Sequence, residues 1–567
     1  MSKSSGPSSF NAIGPVEECR VEPQSTPSSP RILEVFLRGL GGLGGSRGFF
    51  TGSTRRGTAV RLACCGLAAL SWIAGLSAGA GADSAGLIDA IKSGNTLSVR
   101  ALLKTRVNVN APEADGMTAL HWAVRGNDLE TVRLLIRAGA DAKASSRYGV
   151  TPLSLAALNR NAAVAEMLIK AGADPNAASP EGETAVMTAA RAGGAEVVQV
   201  LAAHGANVNV REKWQGQTAL MWAAAENHPA AVKALVERGA DMSIHSKEWQ
   251  FPEYRYQTNG MAVFQLPHGG WTALMYAARQ DAKEAAAALA DLKADLNAAD
   301  PDGTTALHLA VINVHYDLAN ILLEKGADPN AADRSGMTAL YAAVDMRAPA
   351  NMLTRPEPKL VDRMDASDLV KALLARGADP NAKLKKPIIG RHQNLVGDAS
   401  LGEGTTALMR AAKGGDLLVL RLLLAGGADA TITQKDRTTS AMIAAGGAKE
   451  PDALEALKLL AERGVDVDAF NANGQTVLHN AAARGYNSIV KYVAETGAKL
   501  DRRDRQRRTA LDIALGGGGG RGGRGGQAHP DTAALLRELM VARGLAVAAA
   551  PAGAGTPPAG EKVARPQ

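Results

Sequence analysis

The chain has 567 residues, and its hydrophobic content of 46% excludes an entirely disordered protein. Aromatic residues make up only 4%, which excludes large cores built on aromatic bulk and favours thin layers of Ala, Leu and Val. Residues 1–82 hold eight Lys and Arg against four Glu, so they supply +4 of the net charge of +7, and the weakly basic remainder gives no support for a nucleic-acid partner.

The three cysteines, Cys19, Cys64 and Cys65, all lie in the same N-terminal segment. The chain after residue 82 therefore has no disulfide framework, no thiolate zinc site and no cysteine nucleophile.

Residues 1–60 are rich in Ser, Pro and Gly without periodicity, which predicts a disordered N-terminal extension. Residues 61–82 then read as a signal peptide. Arg55, Arg56 and Arg61 supply the basic start, and an uncharged stretch leads to small residues that end at Ala82.

We expect cleavage after Ala82 and export to the periplasm or the extracellular space, as in an exported protein of bacterial type. The alternative is a membrane anchor formed by residues 62–82, which are uncharged throughout but rich in Gly and Ala. Membrane contact is expected only if this segment stays uncleaved.

One short motif recurs along the rest of the chain, beginning with Gly116-Met-Thr-Ala-Leu-His and Gly149-Val-Thr-Pro-Leu-Ser. The equivalent first positions are Gly116, Gly149, Gly182, Gly216, Gly270, Gly303, Gly336, Gly404, Arg437, Gly474 and Arg507, and most are 33 residues apart. A second motif follows in phase, as in Gly172-Ala-Asp-Pro-Asn and Gly326-Ala-Asp-Pro-Asn. A fixed period of this length predicts a repeat architecture.

These two motifs resemble the ankyrin repeat. The resemblance implies an all-α repeat solenoid of helix-turn-helix units with short β-hairpin fingers, about twelve repeats in all. It covers residues 83–544, and residues 545–567 are predicted to be a disordered tail. A single unit cannot bury its own apolar side, so neighbouring units must stack.

The residues of one unit explain its motif. The Thr118 hydroxyl is suited to cap a helix, and Pro152 stands where the first turn needs no donor. Gly126-Asn127 is predicted to separate the two helices, and Gly139 to end the second one in the left-handed conformation. The resemblance implies that His121, His308 and His479 form hydrogen bonds in the turns between repeats.

Insertions interrupt the period within residues 245–269, 346–366 and 383–403, where extra residues must form loops. The first and third enlarge two fingers. The first finger, residues 246–271, is rich in aromatic residues, which are typical anchors of protein interfaces. The alternative is that these side chains only attach a long loop to the solenoid.

A recurring position of the first helix holds large aromatic residues in several units. In ankyrin proteins this position tends to face the concave groove, although partial burial is an equal alternative. Together with the aromatic finger, it gives the residues that we predict to contact a partner: Trp122, Trp222, Trp249, Phe251, Tyr254, Tyr256, Phe264, Trp271 and Tyr276.

The sequence contains no catalytic motif, no nucleotide-binding loop and no spacing of metal ligands, so we expect no enzyme activity, cofactor or metal. It predicts a monomeric scaffold for an unidentified protein partner, bound through the concave ankyrin face and the enlarged fingers. The alternative function is a ligand-binding solenoid that recognises a glycan or peptide through residues 246–271.

Overall fold

Helices follow one another in pairs along the chain. The computed structural model describes residues 79–546 except 106, 251–267, 348–360, 389–400, 448 and 518–526, with the side chains of 79–83 also left undescribed. The chain divides into two units, residues 1–72 and 73–567, and every described residue belongs to the second. Within the described residues there are twelve helix pairs and no strands.

In the pairs after the first, the first helix starts at the Thr-x-Leu motif or its equivalent, and in most pairs the second helix follows after a short turn. The pairs are α1 (Gly79–Lys92) and α2 (Thr96–Leu103), α3 (Ala119–Arg125) and α4 (Leu129–Arg137), α5 (Pro152–Leu158) and α6 (Ala162–Lys170), α7 (Ala185–Ala192) and α8 (Ala195–Ala203), α9 (Ala219–Ala225) and α10 (Pro229–Glu237), α11 (Ala273–Arg279) and α12 (Lys283–Asp291), α13 (Ala306–Ile312) and α14 (Tyr316–Glu324), α15 (Ala339–Arg347) and α16 (Ala366–Ala375), α17 (Ala407–Gly414) and α18 (Leu417–Ala425), α19 (Ser440–Gly446) and α20 (Glu450–Ala461), α21 (Val477–Arg484) and α22 (Asn487–Glu495), and α23 (Ala510–Ala514) and α24 (Pro530–Ala542).

The predicted N-terminal extension lies outside the described residues, as does all of the predicted signal peptide except its last residues. Helix α1 begins at Gly79, before the predicted cleavage point at Ala82. The predicted tail from residue 545 is described only at residues 545 and 546.

After the first pair, a threonine precedes each first helix and serves as its cap, as α13 shows. In α13 the Thr305 hydroxyl accepts a hydrogen bond from the backbone N–H of His308, and the Thr305 backbone N–H donates to Nδ1 of the same histidine. These two hydrogen bonds satisfy backbone N–H groups that would otherwise be unpaired at the start of the helix. Pro152 occupies the first turn of α5, as predicted.

The turn between the two helices of a pair requires one left-handed residue. The sequence predicts the break at Gly126-Asn127, and the structure gives the left-handed conformation to Asn127, with φ of 56°, while Gly126 caps α3. Gly139 after α4 has φ of 86°, which confirms its predicted role in ending that helix.

The core runs between the two layers of helices and continues from pair to pair. First helices contact first helices of the neighbouring pairs, and second helices contact second helices. Leu120 and Leu135 are fully buried, and so are alanines such as Ala156 and Ala189. Because alanine adds little volume, the first helices can lie close together with few aromatic residues in the core.

Where the second motif ends in Asn, this side chain joins its repeat to the next one. Asn330 Nδ2 donates to the carbonyl oxygen of Gly377 at 2.9 Å, and its Oδ1 accepts from the backbone N–H of Asp379 at 2.7 Å. Asn176 makes the same two bonds to Gly205 and Asn207. One side-chain amide therefore satisfies one backbone carbonyl and one backbone N–H of the following turn.

The fingers are turns closed by isolated antiparallel bridges, such as Ala178 with Thr184 and Glu248 with Gly269. Neighbouring fingers are joined through the backbone: the N–H of Lys213 donates to the carbonyl oxygen of Glu181 at 2.8 Å. The fingers therefore form one continuous edge along the described repeats.

Candidate partner-binding surface

The exposed side of the first helices, together with the fingers, forms what we call the first-helix face. Trp122 lies on it in a partly buried position. Its Nε1 donates to Glu113 of the preceding finger at 2.6 Å, and the Lys92 ammonium lies 4.1 Å from the ring centroid. Arg125 lies 5.1 Å from the same ring, so the indole is held between a carboxylate and two cations.

Trp222 repeats this arrangement three repeats later. Its Nε1 donates to Gln217 at 2.7 Å, and the Arg191 guanidinium of the preceding repeat lies 4.8 Å from the ring centroid. Arg191 also pairs with Glu183 at 3.1 Å. The recurring position thus carries a partly exposed indole whose orientation is fixed before any partner arrives.

Trp271 and Tyr276 are buried, with exposed fractions of 7% and 6%. Their rings meet edge to face with centroids 5.5 Å apart, and Trp271 Nε1 donates to Asp300 at 3.2 Å. Both residues therefore offer little surface to a partner in this structure. Of the two alternatives at this helical position, burial applies to Tyr276 and partial exposure to Trp122 and Trp222.

Trp249 lies at the base of the aromatic finger. Its backbone N–H donates to the carbonyl oxygen of His268 at 2.6 Å, and the Lys247 ammonium lies 4.3 Å from its ring centroid. The ring meets Trp214 of the neighbouring finger edge to face, with centroids 6.4 Å apart. The other predicted members of this finger, Phe251, Tyr254, Tyr256 and Phe264, lie outside the described residues.

Trp214 is the residue that the sequence analysis missed. It is 67% exposed, and its ring contacts that of the predicted site residue Trp249. Three backbone N–H groups of its finger, those of Trp214, Gln215 and Gln217, donate to the buried carboxylate of Glu212. The signal was a motif spacing of 34 instead of 33 between Gly182 and Gly216, which marks an enlarged turn at this tip.

The opposite edge, where the two helices of each pair meet, carries an ionic cluster. Lys283 pairs with Asp317 at 3.3 Å and with Asp362, whose side chain is almost fully buried. Asp317 in turn accepts hydrogen bonds from the backbone N–H groups of Arg363 and Met364. The described end of the 346–366 insertion is thereby fixed to two earlier repeats.

Burial raises the pKa of Asp281, beside Lys283, above its ordinary value, and the charge of Asp362 adds to this effect. The Asp281 Oδ1 atom is buried without a hydrogen-bond partner in the described part of the chain. The cluster therefore has a structural role, since it attaches the insertion to the repeats.

The histidines of the motif have the structural role that was predicted. Nε2 of His121, His308 and His479 lies close to a backbone carbonyl oxygen of the next repeat, at 3.0, 2.9 and 3.2 Å. Burial lowers the pKa of His121 and of His479 below the ordinary value. Among the described residues no group of His, Cys, Asp and Glu is placed to hold a metal ion. No described helix is long and apolar enough to cross a membrane.

Three proteins are similar to short parts of this chain. A transient receptor potential cation channel subfamily A member 1 homolog of Caenorhabditis elegans is 35% identical over 111 residues, which are 20% of this chain and 9% of that protein. Diacylglycerol kinase zeta of Rattus norvegicus is 33% identical over 118 residues, 20% of this chain and 12% of the kinase. Ankyrin repeat and SOCS box protein 16 of Homo sapiens is 35% identical over 121 residues, 21% of this chain and 26% of that protein. The chain therefore spans about a quarter or less of each relative.

Most of the repeat region matches a sequence family. The model described as "Ankyrin repeats (3 copies)" matches residues 87–179, 173–246, 256–333, 360–471 and 442–520. A second model, "Ankyrin repeats (many copies)", matches residues 314–353. These matches cover more than half of the chain and coincide with the stacked helix pairs, so the chain belongs to the ankyrin repeat family.

Proposed function

We propose that the chain is a non-enzymatic scaffold that binds a protein partner through the first-helix face and the enlarged fingers. Ankyrin repeats generally mediate protein–protein interaction. The observation that carries the proposal is the pair of Trp214 and Trp249 on adjacent fingers, and the partly exposed ring of Trp222 adds to it.

The energetic argument is one of preorganisation. Large aromatic side chains dominate interface energies when a partner buries them, and a side chain that is already ordered loses little entropy on binding. The indoles of Trp122 and Trp222 are held by hydrogen bonds of 2.6 and 2.7 Å and by cations over their rings. A partner that covers these rings gains apolar contact without first having to order them.

The test is affinity capture with the full chain from its native cells, followed by quantitative mass spectrometry. We expect one protein to be retained by the wild type and lost in the variant Trp214→Ala/Trp249→Ala. The matched control is Leu418→Ala/Val541→Ala, which removes exposed apolar side chains from second helices and should retain the partner. A partner that both variants retain would rule out the fingers as the anchor.

A second candidate function is recognition of a glycan or a short peptide by the same finger. The exposed ring of Trp214 beside Trp249 favours it, because flat indole faces suit a sugar ring as well as a protein side chain. A titration of tryptophan fluorescence with cell-envelope glycans separates the two functions. Saturable quenching in the wild type that disappears in Trp214→Ala would support glycan recognition. A wild-type fluorescence that does not change during the titration would rule it out.

We further propose that residues 61–82 direct export to the periplasm or the extracellular space. The proposal is supported by the sequence pattern of a basic start, an uncharged stretch and small residues before Asp83. Cell fractionation with N-terminal sequencing tests it, and the expected mature protein begins at Asp83. A full-length chain in the membrane fraction would favour the anchor instead.

A further inference from the structure

Two repeats depart from the rest at the tip of their fingers. The first motif position is left-handed in the described repeats and is usually glycine, as at Gly404 and Gly474, with φ of 91° and 72°. Arg437 and Arg507 take the same position with φ of 68° and 61°. An arginine is less stable than glycine in this conformation, so these two fingers carry strain that the glycine tips avoid.

The two arginines border an exposed aromatic ring. Phe470, on the finger between them, is 39% exposed. The Arg437 guanidinium lies 4.8 Å from its ring centroid and the Arg502 guanidinium 4.7 Å, one from the preceding finger and one from the following finger. Backbone bonds from Ala472 to Asp436 and from Arg505 to Asn473 hold the three fingers side by side.

Three of the arginines on these fingers form no ion pair with any residue that the structure describes. Arg437, Arg505 and Arg507 are exposed, and none of them forms an ion pair within the described residues. Their neighbours differ: Lys435 pairs with Glu403 at 2.7 Å, and Arg508 with the fully buried carboxylate of Asp504 at 2.7 Å. Arg502 is partly buried and pairs with Asp468 at 3.3 Å, so it contributes to the edge mainly by holding the ring of Phe470. The cations that stabilise the turns are therefore in ion pairs, whereas the guanidinium groups at the finger tips are exposed to solvent.

We propose that this surface, which we call the C-terminal finger edge and define as Arg437, Phe470, Arg502, Arg505 and Arg507, binds an acidic segment of a protein partner. The inference rests on the proposed function, since it assumes that fingers contact protein. Exposed guanidinium groups suit the carboxylates of Asp and Glu, and the ring of Phe470 offers an apolar contact beside them.

An acidic peptide fits better than a nucleic acid. Asp436 and Asp501 are exposed and directly precede Arg437 and Arg502 in the sequence, so their charges would repel a continuous run of phosphates along this edge. Single-stranded nucleic acid also needs successive stacking platforms, and the described part of this edge offers the single ring of Phe470. A peptide can space its carboxylates to meet the separate cations.

The left-handed backbone at these two positions allows the charges to be removed without disturbing the fold. Arg437→Gly/Arg507→Gly removes both tip cations and at the same time supplies the residue that this conformation favours, so the fold should be kept. We expect the full-length variant to bind a fluorescein-labelled peptide of alternating Glu and Ser with a central Leu about tenfold more weakly than the wild type, by fluorescence anisotropy at low ionic strength. Its urea midpoint should be unchanged or higher.

The matched control is Arg133→Ala/Arg421→Ala, which removes the same charge from exposed positions on α4 and α18 and should change the affinity by less than about twofold. An equal loss of peptide affinity in this control would show that only the net charge matters, and it would overturn the inference. No peptide binding by the wild type, or tighter binding of a single-stranded oligonucleotide of equal charge, would overturn it as well.

The proposed function is tested separately. The variant Trp214→Ala/Trp249→Ala should keep the peptide affinity, because its side chains lie on other fingers. If a partner is captured through those tryptophans while the wild type does not bind the peptide, the inference fails and the proposed function stands.

Discussion

Nε2 of His308 lies 2.9 Å from the carbonyl oxygen of Met337 in the next repeat, while Nδ1 of the same ring accepts from the backbone N–H of Thr305. Because a backbone N–H can only donate and a carbonyl oxygen can only accept, the ring is neutral with its proton on Nε2. One fully buried side chain thus caps a helix and joins two repeats.

Replacing His308 with alanine should therefore destabilise the array. The change leaves the Thr305 N–H unpaired in the interior, removes one of the two hydrogen bonds that the Met337 carbonyl accepts and opens a cavity, for a loss of about 2–4 kcal/mol in the free energy of unfolding. Urea denaturation followed by circular dichroism measures it. The control His204→Ala removes an exposed histidine at the end of α8 and should stay within about 0.5 kcal/mol. Equal stability of both variants would contradict the assigned role.

Stability should fall as the pH falls below about 6.5. Burial lowers the pKa of His121 and His479, so the unfolded chain takes up these protons at a higher pH than the folded chain. Below the unfolded pKa the unfolded state binds more protons, and stability is lost until the lowered folded pKa is passed. An ordinary carboxylate titrates near pH 4, below this window. Asp281, whose pKa is raised by burial, is the same in the wild type and in the histidine variant described next, so it does not affect their comparison.

Thermal melts between about pH 7.5 and 5 measure this loss. The variant His121→Gln/His479→Gln can still form the reciprocal cap but cannot titrate, so its melting temperature should vary less with pH. An identical slope in the variant and the wild type would show that other groups are responsible.

Asn330→Ala should weaken the junction between two repeats. It removes the bonds to Gly377 and Asp379, which are exposed, so we expect a loss of about 1–2 kcal/mol. The control Asn320→Ala removes an amide that bonds only to Glu324 on its own helix, at 2.9 Å, and should have little effect. If hydrogen exchange of α16 is no faster in Asn330→Ala than in the control, the junction does not depend on this residue.

Gly269→Ala should displace the base of the aromatic finger. Gly269 has φ of +74°, and an added Cβ would lie 2.3 Å from the carbonyl oxygen of Lys247 and 3.2 Å from Cδ1 of Trp249. Gly239→Ala is the matched control, because φ there is +87° and the added atom would meet nothing within 4 Å. Both variants carry the left-handed strain. Only Gly269→Ala should shift the tryptophan emission spectrum, and a shift in both would assign the effect to strain alone.

Most of the fold could be predicted from the sequence, because the same capping and turn residues recur at equivalent positions of successive repeats. The caps at Thr118 and Thr305 and the left-handed Gly139 follow from side-chain chemistry that acts within one or two turns. The break at Gly126-Asn127 was predicted, but which of the two residues is left-handed depends on how α4 begins. Asn127 takes that conformation, directly before Asp128 caps α4.

The candidate site was less predictable, because exposure depends on neighbouring repeats. Trp122 and Tyr276 occupy the same motif position, yet only Tyr276 is covered, by the ring of Trp271 from its own finger. Trp214 becomes notable only when its finger is seen beside that of Trp249. The pairing of Lys283 with Asp362 could not be predicted, since it depends on the path of the 346–366 insertion.

The central claim is that a protein partner lies against the fingers, and site-specific photocrosslinking in native cells tests it most directly. A photoreactive benzoylphenylalanine would replace Trp214 in one variant of the full chain and Leu418 on α18 in another, both exposed in the free chain. We predict that Trp214→benzoylphenylalanine yields a defined crosslink to one protein and that Leu418→benzoylphenylalanine does not. Crosslinks of equal yield at both positions, or none at position 214, would contradict this account.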